Sequence, residues 1–293
     1  DISRKEKIKA KHRNSDFFKQ NQLQEIFKDG KYVLQGDFPE DKVDDKANEK
    51  YQFRLPPQPF QGNPDADIWM LLANPGYAEG ISKGLYGDDI AYLDNNIGVR
   101  EIDDNRELRL KACKAQLRFE KSGKYHNYVL NDEFKGGYSA SKWFLERFVG
   151  DTKLLCGEAD KKLFESVSNK EQLPEEYWHK IDGRFFLLQI HGYASKSFDE
   201  SACFPHMEYN KALLRWGIEA GKVIVIARCS SYWQKVIESM DHDDAKIFVM
   251  LNNRNSHFTR NNLVRYAEWK QSQLILTIAG SKVERDLELA LGK

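Results

Sequence analysis

The residues best suited to chemistry in this chain sit directly after apolar runs of strand length. Ile68 to Leu72 leads into Ala73-Asn74-Pro75-Gly76-Tyr77, and Ile247 to Leu251 leads, two residues on, into Arg254-Asn255-Ser256-His257-Phe258-Thr259. Polar residues at the carboxyl ends of buried strands are where open α/β sheets build ligand sites. A third run, Phe185 to Ile190, carries Gln189 near its end and is followed by His191. Arg254, Arg260 and Arg265 lie among Ser256, Thr259, Asn261 and Asn262, a mixture suited to phosphate contacts, and a helix beginning near Asn262 would add backbone donors. Tyr77, Tyr86, Tyr125, Tyr128 and Tyr138 offer rings that stack on a planar ligand. Each feature also has an ordinary structural role: Asn-Pro-Gly makes turns, strand-end histidines find partners in the fold, and tyrosines pack insertions onto a core.

The elements that must position these residues alternate along the chain. Phe185 to Ile190, a helix at about His206 to Ala220, Val223 to Ala227, a helix at Ser231 to Met240, and Ile247 to Leu251 read as strand, helix, strand, helix, strand. That order predicts a short, mainly parallel sheet with helices on both faces, and Ile68 to Leu72 joins it as a strand covered on both sides. Ahead of it, Pro56, Pro57, Pro59 and Pro64 predict a stiff, extended segment leading the chain across a surface to that first strand. Residues 1–54 form a helical N-terminal extension, with Phe17, Phe18, Leu23, Ile26 and Phe27 as one apolar stripe. The α/β domain spans 55–293, with an insertion at about 77–136 that encloses a helix near Asn105 to Phe119. Further helices are expected at Ser139 to Val149, around Lys161 to Val167, from Asn262 to about Gln271, and near Val283 to Leu291, with an ambiguous run at Leu274 to Ile278.

Composition limits the class. The 293 residues are 41% apolar and 31% charged, enough to bury roughly three quarters of the unfolded surface. Forty-five basic residues balance forty-five acidic ones, so binding to a polyanion must use a local patch rather than bulk charge. No apolar run reaches the ~18 residues of a membrane span, and the first residues are charged and unlike a signal peptide, so a cytoplasmic protein without membrane partners is expected. Cys113, Cys156, Cys203 and Cys229 are widely spaced, with no Cys-x-x-Cys pair, and read as free thiols; no metal or other cofactor is expected.

Taken together, the strand-end segments carry a resemblance. Leu72-Ala73-Asn74-Pro75-Gly76, Leu187-Leu188-Gln189-Ile190-His191, Val225-Ile226-Ala227-Arg228 with Tyr232-Trp233-Gln234-Lys235, and Arg254 to Thr259 together resemble the uracil-DNA glycosylase superfamily over about residues 55–270. The first loop is similar to the Asn-Pro-Gly water-site motif of the mismatch-specific branch. The last is similar to the His-Pro-Ser-Pro-Leu-Ser motif that enters the minor groove, with Ser256 and Thr259 in register with its serines. The lead-in Leu55-Pro56-Pro57 to Asn63-Pro64 resembles uncharacterised members. The departures are equally specific. Arg254 replaces the motif histidine, and Gln189 or His191 stands where several branches place the asparagine that reads uracil.

The resemblance implies a three-layer α/β/α fold and cleavage of the N-glycosidic bond of a flipped-out uracil, deaminated or modified base in DNA, in repair or defence. Such cleavage passes through a cation-like sugar and a departing anion. Asn74 would orient the attacking water, and Arg254 or His257 would stabilise the leaving base. Gln189 and His191 would read the base edge and Tyr77 or Tyr86 would cover its face, while Ser256, Thr259, Arg260 and Asn262 would hold the DNA. The leader and insertion are additions that reshape the pocket or recruit a protein partner. Two alternatives keep the fold: an inactive nucleic-acid or protein-binding module, and a nucleoside or nucleotide hydrolase.

Overall fold

The computed structural model describes residues 2–22, 27–28, 31–34, 36–37, 50–51, 53, 57–75, 110–127, 130, 175–195, 198, 201–252 and 262–273. The chain starts with helices α1 (Ile2–Asn14) and α2 (Asp16–Gln22), then a two-stranded antiparallel pair, β1 (Phe27–Lys28) and β2 (Lys31–Tyr32). The main sheet takes β3 (Phe60–Gly62), β4 (Ile68–Leu72), β5 (Phe185–Gln189), β6 (Val223–Ile226), β7 (Ile247–Met250) and β8 (Leu263–Arg265). Helices α3 (Glu175–Arg184), α4 (Pro205–Glu219) and α5 (Ser230–Glu238) connect them. Residues 110–117 and 266–273 are also helical.

The sheet runs in the order β3-β5-β4-β6-β7-β8. Its four inner strands are parallel, and β3 and β8 close the two edges antiparallel to their neighbours. The inner strands form because their sequences, IWMLL, FFLLQ, VIVI and IFVM, are rich in β-branched, aromatic and aliphatic residues that fit a pleat covered on both sides. Alternation splits them between two cores. Trp69, Leu71, Phe186, Leu188, Ile224, Ile226, Ile247 and Val249 share one core with α1, α2, α4, α5 and helix 266–273. Met70, Leu72, Phe185, Leu187, Val225, Ala227 and Met250 share the other with Trp178 and Ile181 of α3. A mixed α/β fold with helices on both sheet faces follows.

Helix α4 shows how closely the layers approach. Pro205 opens it, and Met207, Asn210, Leu213, Leu214 and Gly217 form its buried stripe. Gly217 lies over Trp69, where a Cβ would come within 2.8 Å of the indole, so only glycine admits that contact.

The leader is part of the core. Ile8 of α1 is 1% exposed, and Phe17 of α2 stacks on Tyr209 with ring centroids 4.1 Å apart. His12 is fully buried; its Nε2 donates to the Leu117 carbonyl at 2.7 Å, which leaves Nδ1 to accept from the Tyr209 hydroxyl. Burial lowers its pKa to about 4. The expected stripe from Phe17 to Phe27 does not run along one helix. Helix α2 ends at Gln22, and Phe27 is in β1.

Two further expectations are corrected. The proline-rich segment does not lead the chain over a surface: Pro57, Gln58, Pro59 and the whole of β3 are buried. Proline suits the lead into an edge strand, where its missing N–H costs nothing, and Pro59 O accepts the Gln189 N–H at 3.0 Å. The segment from Asn262 is not a helix start. Leu263–Arg265 pairs with Phe248–Met250, and the helix begins only at 266, because the ladder to β7 takes the backbone first. The expected helices at 139–149, 161–167 and 283–291, and the 274–278 run, lie outside the described residues.

Candidate functional site

Strand β4 comes first of the four parallel strands and lies between β5 on one side and β6 on the other. The chain therefore leaves β4 in one direction and later returns past it in the other, and the crevice outside the carboxyl ends of such strands is where open α/β sheets take ligands. Asn74, Gln189, His191, Arg228 and Asn252 all follow or end these strands on that one edge.

Asn74 is half-buried and fixed by its amide nitrogen. Nδ2 donates to Ser195 Oγ at 2.8 Å, to Pro75 O at 3.0 Å and to Ser195 O at 3.4 Å. Carbonyl oxygens only accept, so the NH2 faces Ser195 and the orientation of the amide is set by chemistry. Ser195 N–H donates to Pro75 O at 3.2 Å, which closes the two loops on each other. No group among the described residues donates to Asn74 Oδ1.

The backbone around Asn74 is held from three directions. Ile190 N–H reaches Ala73 O at 2.9 Å, Ala227 N–H reaches Leu71 O at 2.9 Å, and the indole N–H of buried Trp233 reaches Leu72 O at 3.0 Å. Trp233 belongs to α5, whose N-cap, Cys229, adopts a left-handed conformation with φ of 50°. That turn carries the chain abruptly from β6 into α5 beside the same edge.

Gln189 points to the core shared with Leu72 and Ala227, is 4% exposed, and its Oε1 accepts no hydrogen bond among the described residues. Asn210 of α4 clamps the strand end behind it, its Nδ2 donating to Gln189 O at 2.9 Å. His191 takes a different position. It is fully buried among aromatic rings, stacked on Phe198 at 5.9 Å and edge-on to Tyr51 at 5.4 Å.

Behind His191 lies a pair that sequence reasoning missed. Asp37, from the segment after β2, accepts from His206 Nδ1 at 2.7 Å, from the His206 backbone N–H at 3.1 Å and from the Tyr193 hydroxyl at 2.6 Å. The second of these bonds caps α4, since Phe204 at its N-cap offers no side-chain acceptor. Burial, and then the Asp37 charge, push the Tyr193 phenol well above its ordinary range. The signal for Asp37 was drowned in a leader rich in charged residues; the signal for His206 was a histidine just after a proline at a helix start.

At the other end of the site, the chain leaves β7 through Leu251, which is 61% exposed, and Asn252. Asn262 closes this loop: its Oδ1 accepts the Asn252 N–H at 2.7 Å and its carbonyl accepts the Leu251 N–H at 3.0 Å. Of the residues singled out from sequence, Asn74, Gln189, His191 and Asn262 are thus placed on one edge. Tyr77, Tyr86, Arg254, Ser256, His257, Thr259 and Arg260 lie outside the described residues. Tyr125 packs in the core beside α3, 1% exposed. Cys113, Cys203 and Cys229 form no disulfide, and burial raises the Cys113 thiol to about 12. No described helix is long and apolar enough to cross a membrane. Compared with protein-family models, curated proteins and solved structures, the chain finds no match in any of the three.

Proposed function

We propose that the chain is a hydrolase of the N-glycosidic bond of a base extruded from DNA, built on a uracil-DNA glycosylase-like fold. The observation that carries this reading is the fixed amide of Asn74 at the carboxyl end of the central parallel strand, with its nitrogen taken up by Ser195 and its Oδ1 without a donor among the described residues. An amide oxygen so held can orient a water, and its dipole favours the positive charge that develops on the sugar, without acting as a base.

Three features support the rest of the assignment. Gln189, buried next to Leu72 with no donor to its Oε1 among the described residues, has the donor and acceptor needed to read a base edge. Residues 253–261, rich in arginine, serine, threonine and asparagine, are flanked by Asn252 and Asn262 on the same edge as Asn74, and that composition suits phosphate contacts. Exposed Leu251 at its root is the kind of apolar side chain that can enter a base step vacated by the extruded nucleotide. Arg254 or His257 would then stabilise the leaving base.

The test is free-base release, followed by mass spectrometry, from DNAs containing uracil, deaminated purines or modified cytosines. Asn74→Ala is expected to lower release of one of these bases by roughly 100-fold or more, the scale of losing a pre-oriented polar group at the reacting centre. Unchanged release in that variant would refute the mechanism. No release from any substrate, with tight DNA binding by the wild type, would make the chain a binding module, and faster turnover of free nucleoside would make it a nucleoside hydrolase.

A further inference from the structure

We propose that Asp37 and His206 are positioning residues for Asn74, so that the N-terminal segment is a working part of the site; the functional meaning of this rests on the reading of Asn74 given above. The Gly192 backbone N–H donates to His206 Nε2 at 2.8 Å. A nitrogen that accepts there carries no proton, so the proton sits on Nδ1 and is donated to Asp37 at 2.7 Å. Were this pair arranged to activate a nucleophile or a water, Nε2 would face that group. It faces the main chain, and its role is to hold the main chain.

What it holds is the loop that grips Asn74. The Gly192 carbonyl accepts from Gln58 N–H at 2.7 Å, and a Cβ at this position would lie 2.7 Å from the Pro59 nitrogen, so the peptide has one seat. Next in sequence, the Tyr193 hydroxyl donates to Asp37 at 2.6 Å and accepts the Leu34 N–H at 3.0 Å. Two residues later, Ser195 holds the Asn74 amide through Oγ and its carbonyl. Asp37 therefore fixes residues 192 and 193 together, one through His206 and one directly, and the short run to Ser195 passes that placement to the amide. The groups facing His206 are Asp37, Tyr193 and the Gly192 peptide, with Phe204 stacked on the ring at 5.6 Å.

The experiment uses the full chain, isotopically labelled for NMR. In the wild type, the His206 ring is expected in the form protonated at Nδ1, with a scalar coupling between the Gly192 amide and Nε2. In Asp37→Asn and His206→Ala, the Asn74 side-chain NH2 signals are expected to move and exchange at the Ser195 amide to speed up. His206→Gln, which keeps an acceptor for Gly192, is expected to bring both back toward the wild type. Base release in Asp37→Asn should fall by roughly 10- to 100-fold with DNA affinity retained, the cost of a slightly misplaced catalytic group. Unchanged Asn74 signals and Ser195 exchange in both variants would overturn the proposal. So would a wild-type His206 protonated at Nε2, a result readable even if the variants do not fold. Altered Asn74 signals in Asp37→Asn, alongside base release insensitive to Asn74→Ala, would uphold the positioning and refute the glycosylase reading alone.

Discussion

At the carboxyl end of β5, Asp37 and His206 are both buried, and the far nitrogen of the histidine is taken up by the Gly192 amide. Near the amino end of the same strand, Asp182 of α3 accepts from His126 Nδ1 at 3.1 Å and from the backbone N–H groups of His126 and Asn127 at 3.0 and 2.8 Å. Here the His126 side chain is 16% exposed, and no described group takes up its Nε2. The two pairs have the same chemistry and differ in what surrounds them. In the first, the imidazole is a connector: removing it orphans the Gly192 N–H and takes one of three donors from Asp37. In the second, the backbone alone satisfies the carboxylate, and the imidazole is an accessory.

Substitution separates the two most sharply. His206→Ala is expected to lower unfolding free energy by about 3–5 kcal/mol, because it leaves the buried Gly192 N–H without its acceptor and removes a hydrogen bond to a buried carboxylate. This is read by urea denaturation; a loss no larger than that of the matching change at His126 would break the contrast.

A third histidine sharpens it by pH. His12 has its folded pKa lowered to about 4 from an ordinary 6.5, so the unfolded chain takes up its proton first. Its contribution to stability is fully present above about pH 6.5 and drains as pH falls toward about 4, by up to roughly 3 kcal/mol. His12→Gln should flatten that part of the stability–pH curve, and an unchanged slope in the variant would assign it to other groups. Next in size, Gly217→Ala should cost about 1–3 kcal/mol, since the added methyl meets the Trp69 ring rather than an adjustable side-chain end. This change lies away from both pairs and should leave the His206 ring tautomer unchanged, which NMR of the variant would check. The smallest effect is expected for His126→Ala, at most about 1 kcal/mol in the same denaturation experiment.

The readable parts of the fold were those in which one physical signal dominates. The inner strands and helices α4 and α5 were legible because their apolar periodicity is set by burial on both sides of the sheet. Edge strands β3 and β8 were not, because three residues next to prolines or before a helix carry no periodicity; their strand character comes from neighbours far away in sequence. Asn74 and Gln189 were legible as strand-end polar residues. Ser195 was not, because what gives it meaning is a 2.8 Å bond across 121 positions. Asp37 failed for the opposite reason: it lies in a segment where acidic residues are common, and its burial is a tertiary fact. The resemblance to the glycosylase superfamily, for its part, rests on short loops, and the experiment on Asn74 bears on it directly.

The bond from Asn252 N–H to Asn262 Oδ1 also bears on how this protein can change. It pins the departure and return of the chain across residues 253–261, so the sheet, rather than the loop's own sequence, determines where that stretch is anchored. Both points at which the chain enters and leaves residues 253–261 are therefore fixed by the sheet, and a substitution at Asn262 disturbs the two together.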